Sequence, residues 1–416
     1  MKRRVVVTGL GLITPIGIGK DAFWKSLKDG QSGIVKISRF DASTYPCQIA
    51  GEVNNFEPMD YMDSKSARRT DRFAQFSLAC VRMALTDAKI EFDKINKTKV
   101  GIVSGSAIGG LPYAEFQHAL FLEKGLKKVD PLLATKLFPG EAASHISIEF
   151  NIKGPVYTVS TACVSGVDAI GLGLSLIQND TIDVAIVGGA EAPIAPMTFG
   201  AFCNVGALTN ANNNPEKACK PFDIERDGFI MSEGGGYLII EEIGHASRRN
   251  APIYAELLGY GATSDAYHMT RSNPNGDDAA QAIIIALEAA HLDSRSIEYI
   301  NAHGSATPLN DTMETNIIKK VFNDYAYKLP ISSNKSMTGH SLGAAGAIEV
   351  IASVLTMHHK FIPPTINYMH PDPACDLDYV PNQGINKHVR TILSNSFAFG
   401  ARNAAIVLKD WNGNGL

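Results

Sequence analysis

Apolar residues recur along the chain in two modes. Short β-branched runs bounded by glycine and polar residues predict strands, and apolar residues three and four apart predict helices. In the first 250 residues, strands are expected at residues 4–8, 100–104, 184–187 and 237–241. Helical spacing covers residues 21–27, runs from 65 through 84, and continues loosely over 112–150. After a polar break at residues 245–253 the same grammar returns. Strands are expected at 253–258, 297–301 and 329–332, alternating with helices at 277–290, 311–322 and 343–357. Such alternation predicts an α/β protein with parallel or mixed sheets under covering helices. It divides the chain into two halves, 1–250 and 251–416, duplicated in fold without a clear sequence repeat.

The stretch from Val156 to Gly171 joins both modes. A β-branched run turns through small residues, and helical spacing then begins at Val167, Ile170, Leu174 and Ile177. Cys163 falls at the turn, where the free N–H groups and positive end of a helix favour a thiolate. Spacing alone leaves two readings, a buried structural cysteine or a poised nucleophile.

Composition narrows the function classes. The chain has 416 residues, 45% of them hydrophobic and 19% charged, which suits a folded protein with more than one core. A net charge of −4 gives no reason to expect nucleic acid. Six scattered cysteines form no CxxC pair, so neither a disulfide framework nor a metal site is expected. A reducing, cytoplasmic location follows. The basic N-terminus precedes an apolar run, but Gly9, Gly11, Pro15 and Gly17 interrupt it, unlike a signal peptide. No window approaches eighteen uninterrupted apolar residues, so no membrane span is expected. Gly9-Leu10-Gly11 is not a dinucleotide fingerprint, because Thr14 stands in place of the third glycine and Pro15 follows. Lys65, Arg68, Arg69 and Arg72 follow helical spacing on one face, either a solvated surface or a dock for an acidic partner.

Three later segments repeat the pattern of a strand ending in a polar turn, where catalytic groups concentrate. They are Asn301-Ala302-His303-Gly304, Lys335-Ser336-Met337-Thr338-Gly339-His340 and Asn395-Ser396-Phe397-Ala398-Phe399-Gly400. Two histidines, a lysine between them and an earlier cysteine make a nucleophilic Cys/His site plausible. Together with Ser160-Thr161-Ala162-Cys163 and Arg226-Asp227-Gly228-Phe229, these segments resemble the β-ketoacyl-acyl carrier protein synthases over essentially the whole chain. The resemblance implies a thiolase fold, five-layered αβαβα, made of two similar halves with mixed sheets. It also implies a homodimer, or a heterodimer with a related subunit.

By that resemblance, Cys163 accepts the acyl group from an acyl carrier protein, and His303 and His340 stabilise the intermediate left when malonyl loses CO₂. Lys335 and Glu349 would support the histidines, and the N–H groups of Cys163 and Phe399 would form the oxyanion hole. Ile108, Phe202 and Ala398 would line or gate the acyl channel, Leu133 would stand where a bulkier aromatic reaches the partner protomer's substrate pocket, Ser305 and Thr307 would contact pantetheine, and Lys65, Arg68 and Arg69 would meet the carrier protein. No cofactor is implied. A second catalytic cysteine, expected in a thiolase, is missing from the C-terminal loops. The C-terminal loop departs from the family's glycine-rich pattern at Ala398, Ala401 and Arg402, and Gly206 stands where an arginine is common. Several stretches, such as Pro193-Ile194-Ala195-Pro196, resemble type II polyketide ketosynthase subunits. A non-condensing chain-length subunit is the alternative, and such subunits typically lack the cysteine.

Overall fold

The computed structural model describes residues 2–411; residue 1 and residues 412–416, at the outer ends of the two expected halves, lie outside the described residues. The first half runs β1 (Val5–Thr14), α1 (Arg72–Ala88), β2 (Val100–Gly105), α2 (Glu141–Phe150), β3 (Val156–Val159), α3 (Ser165–Gln178), β4 (Val184–Glu191) and β5 (Gly234–Glu242). The second runs β6 (Ala255–Ser264), α4 (Asp277–Ala289), β7 (Tyr299–Asn301), α5 (Pro308–Phe322), β8 (Ile331–Ser332), α6 (Ala345–His359), β9 (Thr391–Ala398) and β10 (Arg402–Asp410). Element for element the order is the same.

The sheets repeat it too. The ten strands follow one path, β3-β2-β4-β5-β1-β6-β10-β9-β7-β8. In the first half β2 lies parallel to β3 and β4, while β5 is antiparallel to β4 and β1. In the second, β7 lies parallel to β8 and β9, while β10 is antiparallel to β9 and β6. The halves join where Val5–Val7 of β1 pairs with Ala255–Leu257 of β6.

Three apolar clusters separate five layers. One packs α1 and α2 on the outer face of the first sheet, another packs α4 and α5 on the second, and the largest holds α3 and α6 between the sheets. A helix apolar all round must be wrapped on all sides. The segment Leu342–His359 has the length and composition to cross a membrane, but 89% of it is buried inside the protein as this central layer.

β1 extends past the residues its β-branched run predicts, through Gly9 and Gly11. A Cβ at Gly9 would lie 2.1 Å from the Ala84 carbonyl oxygen, and one at Gly11 would lie 1.9 Å from that of Cys80. These glycines let α1 press on the strand; they do not cradle a phosphate. The helix expected from 65 through 84 is two helices, Ser64–Arg69 and α1, broken at an extended Thr70. Asp63 caps the first by accepting from the N–H groups of Lys65 and Ser66, and Asp71 occupies the cap position of the second. The break turns Arg72 away from its supposed neighbours. Its guanidinium binds buried Glu233 at 2.8 and 2.9 Å, so Arg72 leaves the basic face.

Candidate active site

Cys163 sits in a 3₁₀ turn, Ala162–Val164, between β3 and α3. Ala162 holds a positive φ of 54°, which costs an L-residue roughly 1 kcal/mol. Ser165 Oγ fixes the turn, accepting from the Thr161 N–H at 2.9 Å and donating to the Ala162 carbonyl at 2.6 Å. Burial pushes the Cys163 thiol up to about 12, and the nearby Glu191 carboxylate adds to the rise. The Lys335 charge and the N–H groups of Phe399 and Cys163 pull the other way. The helix end therefore does not by itself make the resting sulfur a thiolate, as spacing suggests: desolvation outweighs it. The N–H groups of Phe399 and Cys163 both reach the sulfur.

The histidines come from the second half. His303 follows β7, and its N–H donates to Glu314 Oε1 at 2.9 Å while that of Gly304 donates to Oε2 at 2.8 Å. His340 is held by backbone bonds, donating to the Ile230 carbonyl at 2.8 Å and accepting from the Ser232 N–H at 3.0 Å. Their rings stand 5.3 Å apart at 88°, both nearly inaccessible at 4% and 3% exposure.

Lys335, 1% exposed, reaches between the second-half elements. Its Nζ donates to the His303 carbonyl at 2.6 Å, contacts His303 Nδ1 at 3.4 Å and is paired with Glu349. Burial pushes the Glu349 carboxyl up to about 7 against the pull of Lys335. Burial, and after it the Lys335 charge, holds both histidines well below the ordinary value, with the neighbouring His340 lowering His303 further. Both imidazoles are thus neutral at pH 7. An ammonium can only donate, so His303 Nδ1 accepts from it and the ring proton resides on Nε2.

Aromatic rings surround this pair. Phe397 packs on His303 at 5.8 Å. Phe229 lies between His340 at 5.2 Å and half-buried Phe202 at 6.0 Å. Phe202, Ala107 and Cys163 border one apolar cluster with Phe229 and Leu342, and Ile108 follows Ala107 in the same loop. Ala398 ends β9 and is buried in the central core. Ser305 Oγ and Thr307 Oγ1 stand 3.0 Å apart, and Thr307 also caps α5 by accepting from the Asn310 N–H. Leu133 is not among the residues of these clusters. It opens the short helix Leu133–Lys136, whose Lys136 donates to the Arg68 carbonyl at 3.0 Å, and so sits beside the basic helix. Lys65, Arg68 and Arg69 are exposed, and none forms a salt bridge with a described residue.

One contributor has no motif of its own in the sequence, and another has a place that no motif discloses. Glu314, eleven residues beyond His303 on α5, has no signal except its position on a buried helix face. Phe229 belongs to a quoted motif, but its place between Phe202 and His340 requires two distant segments to meet. Among the described residues one group has metal-ligand proximity, Asp223, Glu225 and His370. Asp223 spends its oxygens on the N–H groups of Glu225, Met369 and His370, and Glu225 pairs with Lys220.

The family models for the β-ketoacyl synthase N-terminal and C-terminal domains match residues 2–246 and 254–369. The chain is 44% identical to 3-oxoacyl-[acyl-carrier-protein] synthase 2 of Coxiella burnetii over 98% of each chain, and 43% identical to that of Synechocystis over 99% of each. Among solved structures it is similar to the ishigamide ketosynthase/chain length factor, with a TM-score of 0.93, 36% identity and coverage of 99% of this chain and 100% of the other. It is likewise similar to a chain of a type II polyketide acyl-carrier protein in complex with its ketosynthase, with a TM-score of 0.91, 35% identity and the same coverage. A duplicated, thiolase-type scaffold that brings one cysteine and two neutral histidines together therefore has its explanation in descent: the chain belongs to the β-ketoacyl synthase family.

Proposed function

We propose that the protein is an elongating β-ketoacyl-acyl carrier protein synthase of a type II fatty-acid or polyketide system, an acyltransferase that needs no cofactor. The observation that carries this reading is that Cys163, reached by the Phe399 N–H, and two neutral imidazoles all feel the charge of buried Lys335, with Phe229 packed on His340 and in the cluster that Cys163 borders. Cys163 Sγ attacks the acyl thioester, its proton leaves with the carrier thiol, and the acyl group stays on sulfur. The N–H groups of Cys163 and Phe399 hold the oxyanion formed on the way.

Malonyl thioester then loses CO₂. The neutral imidazole N–H groups of His303 and His340 hold the enolate oxygen. A cationic imidazolium would be acidic enough to protonate the carbanion, whereas a neutral imidazole donates without surrendering its proton. The carbanion attacks the Cys163 thioester, and collapse of the adduct expels the cysteine sulfur and leaves a β-ketoacyl thioester on the carrier. Lys335 and Glu349 act through the histidines: the lysine fixes the His303 tautomer and depresses both imidazoles. Ile108, Phe202 and Ala398 line the acyl path, and Ser305 and Thr307 meet the pantetheine arm.

The partners follow from surfaces. Lys65, Arg68 and Arg69, exposed and without a salt bridge to a described residue, suit an acidic carrier protein, and a similar ketosynthase has been solved in complex with its acyl-carrier protein. β3 is an open sheet edge with Val156 38% and Tyr157 46% exposed, and Ile148 on the neighbouring α2 is exposed as well. A strand edge that apolar suits a protomer of the same fold, identical or related. We read residues 1–250 as the half that carries the nucleophile and 251–416 as the half that carries the histidines, and we place the protein in the cytoplasm, where six free thiols persist.

Acyl transfer is tested by incubating the protein with an acyl-carrier protein and weighing it intact. The wild type is expected to gain one acyl mass and Cys163→Ala none. A wild type that stays unacylated, as a chain-length subunit would, overturns the reading.

A further inference from the structure

Glu191 ends β4 fully buried, and no step above uses it. Its Oε1 accepts from Ser106 Oγ at 2.8 Å and from the Ile108 N–H at 3.2 Å. Its Oε2 accepts from the Ala107 N–H at 2.7 Å and from the Gly343 N–H at 3.0 Å. All four partners donate. A protonated carboxyl would turn its own O–H toward one of them, so this arrangement is built for the anion, against the burial that pushes the group up to about 7.

The second oxygen joins the halves, because Ala107 belongs to the loop after β2 and Gly343 to the turn before α6. Both are also tied to the nucleophile. The Ala107 carbonyl accepts from Ser160 Oγ at 3.3 Å, three residues before Cys163. The Gly343 carbonyl oxygen approaches the start of α3 so closely that a Cβ on Gly166 would lie 2.9 Å from it. The Ile108 loop, the Gly343 turn and the Cys163 turn therefore close around one carboxylate.

We propose that Glu191 is a positioning residue for acyl-length specificity: its carboxylate fixes the Ala107–Ile108 backbone against the Gly343 turn and so sets the pocket wall beside Cys163. This rests on the reading of the protein as a ketosynthase with Ile108 in its acyl path. Wall position matters because a pocket discriminates chain lengths only as far as its wall resists displacement. Glutamine at 191 keeps the volume but turns an NH₂ group on two of the four donors, which releases the loop.

The test uses the full chain, Glu191→Gln and Ser106→Ala, with a ladder of acyl-carrier proteins and, separately, malonyl-carrier protein alone. Glu191→Gln is expected to flatten the length profile, the kcat/KM ratio between best and poorest lengths falling by about fivefold or more, while malonyl decarboxylation stays within about twofold. Ser106→Ala, which keeps three of the four donors, should shift the profile less and in the same direction. A wild-type length profile in both variants overturns the proposal, as does a uniform loss of all lengths together with decarboxylation. A wild type that elongates no chain overturns the ketosynthase reading itself, a failure separable from that of Glu191.

Discussion

The turns before the two central helices share a backbone and differ in every side chain. In the first half, Ala162–Val164 precedes α3; in the second, Leu342–Ala344 precedes α6. Each begins with a residue at positive φ, Ala162 at 54° and Leu342 at 44°. The middle residue is Cys163 in one and Gly343 in the other. Where the first turn opens to the acyl site, the second is packed shut, and a Cβ on Gly343 would lie 2.5 Å from the Ala107 nitrogen. Duplication supplied two places for a nucleophile, and only one was left room for it. The second half instead contributes the histidines, and its sealed turn braces the first.

The sharpest way to break that comparison is to disable one half at a time. Cys163→Ala should abolish condensation, a loss of at least about 10³-fold, yet still release CO₂ from malonyl-carrier protein because the histidines are untouched. His303→Ala should do the reverse, acylating at Cys163 while failing to decarboxylate. The wild-type decarboxylation rate should hold as pH falls through 6.5, since both histidines stay neutral well below their ordinary value. An acid limb centred near 6.5 would mean that an imidazole near its unperturbed state controls the step.

Gly343→Ala tests whether the second turn is as closed as it looks. Overpacking against backbone and Glu191 should cost about 1–3 kcal/mol in urea unfolding. An unchanged midpoint would show that the second turn has slack and that the two turns differ only in chemistry.

Surface charge divides the halves more gently. Reversing Arg68 and Arg69 to glutamate should raise KM for the carrier protein by about tenfold with little change in kcat, and the effect should shrink with added salt. The same reversal at Arg72 would unfold more than it undocks, because that guanidinium neutralises buried Glu233.

This contrast marks what the sequence could disclose. Local rules place the alternating strands and helices, the Cys163 turn and the basic residues, because period, turn chemistry and capping act within a few positions. They fail where tertiary contact overrides them. Arg72 has the right spacing for the basic face and leaves it for Glu233, 161 residues away. Gly9 and Gly11 read as a loop and are strand, because what they accommodate is a helix some seventy residues on. Cys163 has the helix end that favours a thiolate, while the burial that raises its pKa comes from both halves at once. Glu314, and the place of Phe229 between Phe202 and His340, are invisible for the same reason.

The smallest effect concerns the loop between β9 and β10. Ala401 sits at φ 59° between β9 and β10, next to Gly400 at 80°. The loop is nonetheless anchored: the Gly400 N–H donates to Met269 at 2.7 Å, the Ala401 carbonyl accepts from Asp265 at 2.8 Å, and Arg402 reaches the Ser160 carbonyl at 3.1 Å. Those bonds hold an L-residue at a positive φ that favours glycine. Ala401→Gly relieves roughly 1 kcal/mol of backbone strain but returns a similar amount of freedom to the unfolded chain. Global stability should therefore move by less than about 1 kcal/mol, while the loop carrying the Phe399 N–H becomes easier to displace and Cys163 acylation by the longest accepted chains quickens modestly. A loss of more than about 1 kcal/mol would show instead that the alanine methyl is a packing contact, and that the second half's loop is held by its side chains as firmly as the first half's nucleophile turn is held by Ser165.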